Sequence, residues 1–129
     1  MPIEFRQKVD AAQAIVFNAT DMGATFESAV ISMLYFKSFL AQFTFTGSPV
    51  GSFKIEVSGD ISNDYSGVTA ATYADVTRWD PYPDSTVAIS AAGTIVYDIV
   101  GEFNAAFIKF TYTRTSGTGS MYGTITKKS

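Results

Sequence analysis

Apolar and polar residues alternate along much of this chain. Phe39, Ala41, Phe43 and Phe45 occupy every second position, with Gln42, Thr44 and Thr46 on the other side. After Gly47-Ser48-Pro49-Val50-Gly51 the pattern restarts, with Phe53, Ile55 and Val57 alternating with Lys54, Glu56 and Ser58. Side chains two apart share one face of a strand, so this period predicts strands with one dry and one wet side. The Gly/Pro-rich break predicts a turn, and Ser38 to Ser58 reads as a β-hairpin. Near the C-terminus Ala106, Ile108, Phe110 and Tyr112 face one way, while Lys109, Thr111 and Thr113 face the other. Ser116-Gly117-Thr118-Gly119 reads as the turn of a second hairpin, and Met121 to Lys127 as its return strand. Phe43, Phe53, Ile55, Val57, Ile108 and Phe110 are the predicted core.

Weaker alternation predicts further strands at Ile3–Val9, Gln13–Ala19, Ser28–Leu34, Tyr73–Trp79, Thr86–Ser90 and Thr94–Val100. Gly59 to Ala71 reads as a loop. Asp80-Pro81-Tyr82-Pro83-Asp84 ends a strand, because two prolines withhold donors from a ladder. The stretch from Asp21 to Phe26 has room for one helical turn at most. A turn at roughly every 8–12 residues predicts an all-β fold. The expected architecture is a single antiparallel β-sandwich domain over 1–129, jelly-roll-like, with about eight to nine strands.

Composition sharpens this picture. Only 16% of the 129 residues are charged, against roughly 25% in an ordinary domain. Aromatic residues reach 15%. A small domain of this kind has either a large core or a surface that a partner covers. The chain has no cysteine and no histidine. That excludes a disulfide framework, a thiolate metal site and the commonest general base. A net charge of −3 offers no basic footprint for nucleic acid. No run approaches the roughly 20 apolar residues of a membrane span, and the first residues lack the apolar core of a signal peptide. The expectation is a protein made in a cytoplasm that stays soluble or enters an assembly there, without membrane or nucleic-acid partners and without a cofactor.

The stretch FLAQFTFTGSPVGSFKIEVSG (39–59) and the stretch FIKFTYTRTSGTGSMYGTITK (107–127) together resemble small virion-associated β-sandwich proteins of bacterial viruses. The likeness lies in a TG-x-PVG segment followed, later in the chain, by an SGTG segment and a terminal strand ending in lysine. It covers about half the chain directly and departs from the usual pattern after Ser58, where Gly59-Asp60-Ile61-Ser62-Asn63-Asp64-Tyr65 follows. The resemblance implies a capsid decoration, minor capsid or tail-associated protein that contacts other virion proteins as a homo-oligomer. It also extends to discoidin-like jelly rolls, which implies a carbohydrate-binding adhesin as the alternative.

Candidate sites are few. Asp60, Asn63 and Asp64 offer hard oxygens to a cation, or a carboxylate pair to glycoside chemistry. Their spacing lacks the distal glutamate of an EF-hand, and the same residue types make turn hydrogen bonds, so no catalytic or metal site is expected. Trp79 has two readings: a plug at one end of the core, or with Tyr82 an aromatic contact on a stiff loop. Ile3, Phe5 and Arg6 on the first strand are the other candidate partner contacts, since a terminal strand can pair with a neighbour's sheet edge. Lys127 and Lys128 read as protection of an edge strand.

Overall fold

The computed structural model describes residues 11–59, 79–101 and 103–129. Among these there is no helix, and two antiparallel sheets face each other. The first, sheet A, contains β1 (Ala11–Asp21), β4 (Ser38–Phe45), β8 (Gly93–Ile99) and β10 (Ser120–Lys128), in the order β1-β10-β4-β8. The second, sheet B, is built on β5 (Val50–Ser58) and β9 (Phe107–Ser116), paired over their whole length. β2 (Phe26–Glu27) and β3 (Ile31–Ser32) flank β9, while β6 (Asp80–Pro81) and β7 (Val87–Ile89) flank β5. The predicted Ile3–Val9 strand and nearly all of the Gly59–Ala71 loop and the Tyr73–Trp79 strand lie outside the described residues.

Both expected hairpins are corrected. β4 lies in sheet A and β5 in sheet B; β9 lies in sheet B and β10 in sheet A. Each Gly-rich connection is therefore an arch that carries the chain from one sheet to the other. The ladders form between the arches: β4 pairs with β10, and β5 with β9. Alternation cannot separate these cases, because the apolar faces of β4 and β5 meet across the core in an arch and lie side by side in a hairpin. The arches are clamped together by main-chain bonds from Thr46 N to Ser120 O (3.0 Å) and from Ser48 N to Thr118 O (2.9 Å). Gly117 takes a positive φ of 79°, and a Cβ on Gly119 would run into the Thr46 carbonyl oxygen, so the crossing requires both glycines.

The predicted inward faces are correct. Phe43, Phe53, Ile55, Ile108 and Phe110 are fully buried, and Val57 is half-buried against them. Phe43 lies 4.8 Å from both Phe53 and Phe110, centroid to centroid, which ties the two sheets together. Aromatic pairs at this spacing add about 0.5–1.5 kcal/mol each beyond area burial.

Of the predicted Ser28–Leu34 strand only Ile31–Ser32 (β3) pairs as a strand, and β2 ends before it at Glu27. Ser28 interrupts it: its hydroxyl accepts from Phe110 N (3.0 Å) and donates to Ala29 O (2.8 Å). A serine side chain here substitutes for the backbone ladder. At Asp21–Gly23 there is a turn rather than a helix, closed by Gly23 N donating to Asp21 Oδ1 at 2.8 Å.

Candidate interaction surface

The outer faces of the two sheets differ in chemistry. On sheet B, Lys54, Glu56, Lys109 and Glu27 form a charged network. Lys109 Nζ is 2.7 Å from Glu27 Oε1 and 4.0 Å from Glu56 Oε1, and Thr111 Oγ1 donates to Glu56 Oε1 at 2.6 Å. This face is satisfied by its own side chains.

The outer face of sheet A is of another kind. Registers place Gln13, Thr126, Leu40 and Asp98 in one row across the four strands. The next row is Ile15, Thr124, Gln42 and Val96, followed by Tyr122, Thr44 and Thr94. Charge enters only at the ends, with Asp98 and the exposed Lys128 at one and the exposed Asp21, opposite Ser120, at the other. Four large apolar side chains stand among the threonines and glutamines: Ile15 (70% exposed), Val96 (52%), Tyr122 (44%) and Leu40 (39%). With strands about 4.8 Å apart and rows about 6.8 Å apart, these three rows cover on the order of 400 Å². A partly apolar face of that size with so little charge matches the charge-depleted centre of protein contacts. The alternating pattern located its strands, but nothing in a single strand shows that the wet sides of all four are nearly free of charge.

Trp79 and Tyr82 do not share a surface. Trp79 lies outside the main core, packed with Val30 and Ala106 around the buried Phe107. The Lys109 ammonium sits 4.5 Å from its ring centroid, a cation–π contact. The core-plug reading of Trp79 is thereby corrected: odd-numbered Phe107 and Lys109 point away from Ile108 and Phe110, and Trp79 packs on their side. Tyr82 packs toward the main core, 5.2 Å from Phe103. Its backbone is held by Tyr82 N donating to Ile55 O at 2.8 Å. The prolines do not keep this loop out of the sheet: Asp80–Pro81 pairs with Glu56–Val57 at the edge, where a proline is tolerated.

Lys127 is a second correction. β10 is a central strand, flanked by β1 and β4, so Lys127 protects no edge. It is half-buried, donates to Ser32 O at 2.9 Å and lies 4.8 Å from the Phe36 centroid, and burial holds its pKa below the usual lysine value. Ile3, Phe5, Arg6, Asp60, Asn63 and Asp64 lie outside the described residues. Among the described residues no group of three or more Asp or Glu is placed to hold a metal ion, and no helix is long and apolar enough to cross a membrane.

By its two facing sheets the chain is an antiparallel β-sandwich. No family model matches it, and no curated sequence matches it. Among solved structures it is similar to the SPBc2 prophage-derived protein YomS, at 12% identity over 91% of this chain and 93% of that one, with a TM-score of 0.48. It is also similar to the tobacco streak virus coat protein (10% identity, 95% and 88% covered, TM-score 0.42) and to a carbohydrate-binding module of family 29 (12%, 92% and 89%, TM-score 0.43). Likeness at this level assigns no function.

Proposed function

We propose that this chain is a non-enzymatic structural protein of a bacteriophage particle, a capsid decoration or minor capsid protein. In this reading it seats on other virion subunits through the outer face of sheet A. The observation that carries it is the contrast between the two faces: sheet B neutralises its own charges, whereas sheet A presents Ile15, Leu40, Val96 and Tyr122 on an almost uncharged plane. The resemblance of the 39–59 and 107–127 segments to virion-associated sandwiches supports the same reading. About 400 Å² is half the roughly 800 Å² per partner of a standard interface, so one such contact alone is weak. A shell offers many copies and several contacts for each, and avidity makes modest contacts durable.

The alternative, a carbohydrate-binding adhesin, would draw on Trp79 as a stacking platform. Lys109 already lies over that ring, so a sugar stacking on that side must displace it. Co-sedimentation with shells assembled without the chain tests the proposal. Binding to shells is the expected result. A chain that ignores shells, while a glycan quenches its Trp79 fluorescence, contradicts the structural reading and supports the adhesin.

A further inference from the structure

A sheet edge is a row of unpaired N–H and C=O groups, and soluble proteins blunt such edges with bulges, prolines, lysines or short strands. Most described edges of this sandwich are blunted. β1 carries two register shifts and a positive φ at Ala19 (55°). On sheet B, β2 and β3 have two residues each, β7 has three, and β6 has two, one of them Pro81. β8 is the exception. Its seven residues, Gly93-Thr94-Ile95-Val96-Tyr97-Asp98-Ile99, pair with β4 without a register shift and include no lysine, arginine or proline. It ends the order β1-β10-β4-β8, so its other side is an open edge among the described residues.

We infer that this edge pairs with the β8 edge of a second copy of the chain, antiparallel about a two-fold axis at Val96, to form one continuous eight-stranded sheet. The β8 sequence is complementary to itself in that register. A two-fold axis perpendicular to the sheet must pass through a residue pair, because only then do directly opposite side chains share a face. Centring on Val96, the midpoint of β8, is the choice that pairs all seven residues. It sets Val96 against its own copy, Ile95 against the partner's Tyr97, and Gly93 against the partner's Ile99. It also sets Thr94 against the partner's Asp98, twice. Thr94 and Asp98 both lie on the outer face, in the rows of Thr44 and Leu40. The hydroxyl of one copy can therefore donate to the carboxylate of the other across the roughly 5 Å that separates opposite Cβ atoms. The single charge on β8 meets a hydrogen-bond donor and never its own copy. β-branched Val96 is half-exposed on the same face, so pairing covers apolar area that is otherwise wet.

This pairing does not depend on the shell reading and is tested without shells, by sedimentation equilibrium of the full chain. The wild type is expected to be a dimer at tens of micromolar. Thr94→Asp places two carboxylates opposite each other on both sides of the axis and weakens the dimer by roughly tenfold or more. The double variant T94D/D98T exchanges the two partners and restores the dimer. Val96→Lys, which a monomer tolerates at a half-exposed site, sets two ammonium groups together at the axis and dissociates it. Circular dichroism and Tm confirm that each variant is folded. A wild type that stays monomeric at several hundred micromolar overturns the inference. So do a dimer indifferent to both Val96→Lys and Thr94→Asp, and a folded double variant that remains dissociated.

Discussion

Tyr97 shows how one side chain joins the layers of the fold. It projects inward from the edge strand β8, stacks at 6.1 Å on Phe110 of the opposite sheet, and donates its phenol proton to Ser85 O at 2.8 Å. Ser85 is itself buried, and its hydroxyl bridges Ile55 N, Ile55 O and Tyr82 O. Burial raises the Tyr97 pKa well above its usual value, and burial raises that of Tyr112 too, with Arg114 opposing the rise. Both groups hold their proton more tightly folded than unfolded. Their stabilising contribution is thus complete below about pH 10, the unfolded value, and is lost as pH climbs through the raised folded values. Tyr97→Phe leaves the Ser85 carbonyl without its donor and is expected to cost about 1–2 kcal/mol at neutral pH. It also makes the decline above pH 10 shallower, without abolishing it, because Tyr112 remains. Urea titrations at pH 7 and at pH 10.5 measure both; a decline unchanged from wild type would show that Tyr97 is not the alkaline-sensitive group.

At the scale of elements, the two arches carry the fold. Gly119 sits where the arches cross, so Gly119→Ala forces the Thr46 carbonyl aside and is expected to cost about 1–3 kcal/mol. Gly59, which has open space around its Cα, serves as the control, with Gly59→Ala near neutral. Phe110→Ala opens the centre of the aromatic cluster and is expected to cost about 3–5 kcal/mol, read from the shift in urea midpoint at constant slope. A wild-type midpoint for Phe110→Ala would contradict the assigned inward face. These faces were legible in the sequence because side-chain period depends on the strand alone. Which strands pair was not: Phe45 and Phe53 alternate identically whether their strands are neighbours or lie in opposite sheets. The clue lay in Pro49, buried inside the first arch, and in the matching glycines of the second. Ser28 illustrates another limit, since its hydroxyl ends the β2–β9 ladder at the point where the sequence pattern predicts a strand to begin.

For the whole molecule, the low charge content read from composition finds its place on one surface. Half of the answer was legible: a chain with 16% charged residues must hide or share apolar area. The location was not, because the charge-poor face is assembled from β1, β10, β4 and β8, which are separated in sequence and come together only through the crossed arches. Trp79, the obvious aromatic anchor by sequence, is instead committed to Phe107 and Lys109 on the other side. A charge placed on the sheet A plane is therefore expected to do more damage to assembly than loss of Trp79. Gln42→Lys, at an exposed central position between Thr124 and Val96, is expected to weaken shell co-sedimentation at least tenfold at unchanged Tm, while Trp79→Ala leaves co-sedimentation near wild type.

The most direct test of sheet A as the working surface is hydroxyl-radical footprinting of the chain, free and bound to shells that lack it. The account predicts that Ile15, Leu40, Val96 and Tyr122 lose reactivity together on binding, while Tyr35, 92% exposed and off this face, keeps its own. Unchanged reactivity at those four residues in the bound state, with protection gathered around Trp79 and the charged face of sheet B, would contradict it.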